Sequence, residues 1–123
     1  MYNCFAWAAG DTSHWWSHQR FWPSGVTREH TLQAYQAAFE TLGYSRCNTG
    51  DLEPGYEKVV LYANRMGPQH AARQLPDGRW TSKLGEDIDI RHMSVHDVAG
   101  GLYGEPTLFL RRPIPVEQER VTN

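Results

Sequence analysis

Three residues have types and spacing suited to covalent chemistry: Cys4 directly behind Asn3, His70, and Ser82 twelve positions after that histidine. A thiol attacks as a thiolate, so a nucleophilic cysteine needs a lowered pKa. A helix N-terminus supplies this through its partial positive charge and its free N–H groups. Asn3 is a favoured N-cap, which puts Cys4 at the start of a helix whose N–H groups could hold an oxyanion. Asn3 is thus assigned to capping and positioning beside that oxyanion. His70 would be the base, and a third polar group should orient its imidazole. The plain counter-reading is a buried, inert cysteine and a structural histidine.

Turn chemistry selects the third group. Pro76-Asp77-Gly78 suits a three-residue hairpin loop, with Pro opening a type I turn and Gly supplying the left-handed residue. Leu75 then pairs with Arg79, and His70, Ala72, Gln74, Trp80, Ser82 and Leu84 share one sheet face. A two-residue loop, Asp77-Gly78, would instead bring Thr81 and Lys83 to the His70 face. The Pro-Asp-Gly order favours Ser82.

Other chemistry-bearing residues carry less. His14/His18 and His92/His96 have the H-x-x-x-H spacing of zinc ligands on a helix, but neither pair has the accompanying glutamate. No metal or cofactor is assigned. Cys47 lies in a polar stretch and is read as incidental. Trp15, Trp16, Trp22 and Trp80 are the candidate substrate-binding aromatics, with core packing as their alternative role.

The elements that must position these residues follow from pattern. Cys4 to Ala9 reads as a short helix ended by Gly10. The aromatic stretch 11–25 reads as a loop. Positions 28–42 read as a helix capped by Thr27, with Leu32, Tyr35, Phe39 and Leu42 on one stripe and Gly43 as the stop. Positions 58–63 form a β-prone run suited to a buried central strand. Further strands are read at 69–75, 79–84 and 108–110, with extended or loop structure at 87–92 and a short helix at 94–99. Helices first and an antiparallel sheet after them argue for an α+β fold.

Bulk properties set the frame. The chain has 123 residues, enough for one core, and 1–123 is read as a single domain. A formal net charge of −2 provides no basic field, so nucleic acid is not an expected partner. No stretch has the length or apolarity of a membrane span, and MYNCFAWAAG lacks the basic region and cleavage site of a secretory signal. A cytoplasmic location is expected, or export by a signal-independent route. With two cysteines only, neither a structural disulfide nor a Cys-rich zinc module is expected.

Asn3-Cys4 opening a helix, a later strand with His70, and the hairpin HAARQLPDGRWTS together resemble the papain-like cysteine peptidase superfamily. The likeness is to the branch of bacterial cell-wall endopeptidases and permuted lipid-acting relatives. That branch places a third polar residue, often His, a dozen positions after the first; here it is Ser82. The resemblance spans roughly residues 2–84 and implies a papain-like minimal fold, with the Cys4 helix and a second helix on a small antiparallel sheet. Two departures stand out: Phe5 and Ala6 follow the cysteine where small residues are usual, and Ser replaces His, Asn or Asp in third place. The chain also resembles an uncharacterised bacterial family.

The expected function is that of a thiol-dependent hydrolase or acyltransferase acting on an amide or ester bond, whether peptidase, amidase or deamidase. Its partners would be a peptide, protein or small amide/ester substrate. Two rival readings are a catalytically inactive binding or regulatory module, meeting a protein partner through the aromatic loop, and a His-based metal-binding protein.

Overall fold

The structure is a computed structural model describing residues 2–84, 89–100 and 103–114. Two helices pack on a six-stranded antiparallel sheet, so the fold is α+β. The helices are α1 (Cys4–Ala9) and α2 (Leu32–Glu40). The strands are β1 (Ser45–Cys47), β2 (Tyr56–Asn64), β3 (Gly67–Gln74), β4 (Trp80–Lys83), β5 (Asp89–His92) and β6 (Glu105–Pro113), in the spatial order β1-β6-β2-β3-β4-β5. A 3₁₀-helix, Val95–Val98, stands where the short helix was read. Among the described residues no helix is long and apolar enough to cross a membrane.

The sheet is covered on both faces. Phe5, Ala6 and Ala8 of α1, Ala34, Tyr35, Ala38 and Phe39 of α2, and Trp16 and Trp22 of the aromatic loop bury one face with Val59, Leu61, Ala71, Leu108 and Leu110. Val60, Tyr62, Ala72 and Trp80 alternate onto the other face, against Val95, Val98, Ala99 and Phe109. That double burial explains the unbroken apolar run in β2.

Three elements differ from the sequence reading. Helix α2 starts at Leu32 and is capped by Thr31, whose hydroxyl accepts from the Ala34 N–H at 3.2 Å. Thr27 is drawn into the loop, its carbonyl taking the Trp22 indole N–H at 3.0 Å, and Arg28 donates to the His18 and Arg20 carbonyls. Those contacts hold the chain out of helical geometry ahead of Thr31. Strand β6 is longer than 108–110 because it pairs along most of β2, from Tyr56↔Pro113 to Ala63↔Glu105. Strand β1, unread in the sequence, is added at the edge through Ser45↔Arg111 and Cys47↔Phe109.

Candidate active site

Helix α1 is pinned at its first turn. The Asn3 Oδ1 accepts from the Ala6 N–H at 3.0 Å, and Gly10, at φ 82°, ends the helix in the left-handed region that glycine tolerates. The same Oδ1 takes the Trp16 N–H at 3.1 Å, and Nδ2 donates to the Trp16 carbonyl at 2.5 Å. Asn3 thus caps α1 and clamps it to the aromatic loop, and its amide is occupied at both ends by these bonds. Asn3→Ala should therefore lower stability by about 1–2 kcal/mol, more than an exposed cap would cost, and thermal melting reads it directly.

The other end of α1 is held over the hairpin. The Trp7 indole N–H donates to Thr81 Oγ1 at 3.2 Å, and the Arg73 guanidinium lies 5.0 Å from the Trp7 ring centroid. The hairpin itself has the three-residue loop: Leu75 N–H meets the Arg79 carbonyl at 2.6 Å, and Gln74↔Trp80 and Arg73↔Thr81 pair in that register. The paired stretch ends there. Closer to His70 the two strands carry no ladder pairs, and α1 packs against β3 and β4.

His70 lies one residue before Ala71 and points to the opposite sheet face, beside its register partner Tyr62. The ring is fully buried and stacks on Tyr103 at 4.4 Å between centroids. Its Nε2 meets Ser82 Oγ at 3.0 Å, while its Nδ1 is buried without a hydrogen-bond partner. Cys4 and His70 line one cavity of about 290 Å³ with Asn3, Phe5, Trp15, Gln69, Lys83 and Tyr103. No hydrogen bond joins the thiol to Nδ1 in this state. A cavity of about 420 Å³ beside Gly50, Trp80 and Phe109 and one of about 300 Å³ beside Tyr56 and Arg73 contain no cysteine. Chemistry, not size, singles out the Cys4 cavity.

The electrostatics correct one expectation. Burial pushes the Cys4 thiol up from its ordinary value near 9 to about 11. The N–H groups of Ala71, Phe5 and Cys4 and the charge of Lys83 favour the thiolate, but they are outweighed. Burial, helped by the nearby His92, pushes His70 down from 6.5 to about 4. At neutral pH the resting pair is a neutral thiol and a neutral imidazole. A six-residue helix does not offset the loss of water around the sulfur.

The remaining sequence candidates separate. Trp15 lines the Cys4 cavity, whereas Trp16 and Trp22 are buried in the core under the helices. Trp80 packs on the other sheet face, against Phe109. The chain between Asp11 and Gly25 folds inward onto α2, with Trp16 packed on Phe39 and Trp22 on Tyr35. Thr81 and Lys83 alternate to the α1 side, with Lys83 Nζ 4.9 Å from the Tyr2 ring, so neither meets His70. Neither H-x-x-x-H pair sits on one α-helix. His14 bonds Asp11 at 2.8 Å, and His92 ends β5 while His96 lies in the 3₁₀-helix. No group of three or more potential metal-ligating His, Cys, Asp or Glu side chains occurs among the described residues. Cys47 is free, its thiol donating to the Thr49 carbonyl at 3.5 Å.

Sequence reasoning missed three neighbours of His70. Tyr62 and Tyr103 sandwich its surroundings, and His92 Nε2 meets Ser82 Oγ at 2.8 Å. The signal for His92 was its alternation with Ile90 in an extended stretch, which puts it on the Ser82 face once β4 and β5 pair as Trp80↔His92.

Comparison with curated proteins gives no match, and neither does comparison with solved structures. A family is nevertheless defined over the stretch that builds this site: the model for the domain of unknown function DUF7689 matches residues 1–111, and the chain belongs to that family.

Proposed function

We propose that the protein is a cysteine hydrolase or acyltransferase of papain-like arrangement, acting on an amide or ester through Cys4 with His70 as base. The observation that carries this reading is that Cys4 and His70 line one cavity, with the His70 Nδ1 buried and unpartnered. A buried polar atom without a partner costs stability, and an unprotonated imidazole nitrogen in a cavity lined by a cysteine is a group that can take up a thiol proton. Because both groups rest neutral, the proton moves during attack and not before it. As sulfur bonds to the carbonyl carbon, His70 Nδ1 takes the thiol proton and later gives it to the leaving amine or alcohol. Water then cleaves the thioester, or an amine acceptor does so in a transferase. The N–H groups of Cys4 and Phe5, which have no intrahelical acceptors, face the developing oxyanion.

The cavity is small, about 290 Å³, and Phe5, Trp15 and Tyr103 give it apolar walls. It suits a single side chain or a short acyl group. The raised thiol and the missing thiol–imidazole hydrogen bond favour a second reading, an inactive binding module on the same scaffold. Iodoacetamide labelling at neutral pH, resolved by peptide mapping, separates the two. Base-assisted Cys4 should be labelled ahead of Cys47, and His70→Ala should remove that advantage. Labelling of Cys4 that is slow and indifferent to His70 would favour the binding module.

A further inference from the structure

We propose that His92 is a positioning residue for His70, acting through Ser82 to keep the His70 Nδ1 as the unprotonated nitrogen. This rests on the reading of Cys4 and His70 as nucleophile and base.

The argument is a count of donors and acceptors along one buried chain. A backbone carbonyl only accepts, so His92 Nδ1, at 2.9 Å from the Ser94 carbonyl oxygen, is the donor of that bond. A neutral imidazole has one N–H. His92 Nε2 is therefore an acceptor, and the Ser82 hydroxyl at 2.8 Å donates to it. That hydroxyl has one hydrogen, so towards His70 it offers only a lone pair. The 3.0 Å contact is then an N–H donated from His70 Nε2 to Ser82 Oγ. With its single hydrogen on Nε2, His70 keeps a lone pair on Nδ1, the atom without a partner.

The far end of the chain is built to hold still. Ser94 caps the 3₁₀-helix in a capping box with Asp97, whose carboxylate accepts the Met93 and Ser94 N–H groups at 3.1 Å each. The Tyr62 hydroxyl donates to the Val95 carbonyl at 2.6 Å, tying that helix to the central strand. Ser82 alone could not set the tautomer, since a free hydroxyl can rotate to donate to His70 Nε2. That rotation would move the His70 hydrogen to Nδ1, where it blocks uptake of the thiol proton. His92 removes this choice.

The test uses the whole chain labelled with ¹⁵N-histidine. Long-range ¹H–¹⁵N spectra at neutral pH should show His70 protonated at Nε2 and His92 at Nδ1. In His92→Leu the His70 hydrogen should shift towards Nδ1, and Cys4 alkylation should slow by about tenfold. His92→Gln offers an amide NH2 to donate to the Ser94 carbonyl and an amide oxygen to accept from Ser82, and should restore both the tautomer and most of the rate. A wild-type His70 protonated at Nδ1 overturns the proposal without any variant, so a His92→Leu chain that fails to fold leaves it falsifiable. An unchanged His70 tautomer in folded His92→Leu overturns it too. Failure of the underlying reading looks different: His70→Ala would then leave Cys4 alkylation unaltered.

Discussion

Replacing His70 with alanine should slow acylation of Cys4 by an activated ester about 10²–10⁴-fold at neutral pH, the range over which a positioned general base contributes. An imidazole held at about 4 is a weak base, so the effect should sit at the lower end even though the thiol cannot help itself. Held at about 11, it supplies almost no thiolate at pH 7 without a base. The pH profile should carry the same signature. His70 remains neutral down to about pH 4, so the rate per folded molecule should stay near its neutral-pH value to about pH 5 before falling. A preformed thiolate–imidazolium pair would instead leave substantial reactivity in His70→Ala wherever Lys83 and the N–H groups stabilise the anion. Stopped-flow release of p-nitrophenol from wild type and His70→Ala across this range measures both features.

Acid should destabilise the protein well above the carboxylate range. His70 is held neutral in the fold, with its pKa depressed to about 4, whereas the unfolded chain takes up that proton at about 6.5. The stabilising contribution is fully present above pH 6.5 and is lost as pH falls towards 4. A shift of this size corresponds to about 3 kcal/mol, a large part of the typical stability of a small domain. His30, also depressed by partial burial, acts in the same direction. Asp11, Glu53 and Asp77 are held below their usual values by hydrogen bonds and cationic neighbours, so their contributions disappear only at still lower pH. Urea titrations at pH 7, 5.5 and 4.5 should show the midpoint falling in wild type and a much flatter response in His70→Gln. Equal slopes in the two proteins would place the acid sensitivity elsewhere.

Legibility varied with the range of the interaction. Helix α1 was readable end to end because Asn3 and Gly10 are local signals, and the 75–79 hairpin because Pro76-Asp77-Gly78 fixes the loop length and so the face of Ser82. The start of α2 is ambiguous in the sequence because Thr27 and Thr31 are both good caps, and what decides between them is Arg28 and Trp22 bonding across the loop. Strand β1 was invisible: Ser45–Cys47 has no strand pattern and is recruited by the edge of β6. In the sequence His92 stands out for its spacing to His96. Its actual neighbour, Ser82, depends on the β4–β5 register, which has no turn signature comparable to Pro-Asp-Gly. The thiol's raised pKa was also hidden, since a helix start argues for a low value and only the packing around Cys4 shows that burial prevails.

The central claim is that Cys4 is a nucleophile whose proton goes to His70. Its most direct measurement is peptide mass mapping after brief exposure of the folded chain to p-nitrophenyl acetate, with wild type and His70→Ala compared at pH 7. The account predicts an acetyl group on Cys4 ahead of Cys47 in wild type and its near absence from Cys4 in the variant. Acetylation spread evenly over Cys4 and Cys47, or on Cys4 to the same extent without His70, would contradict it.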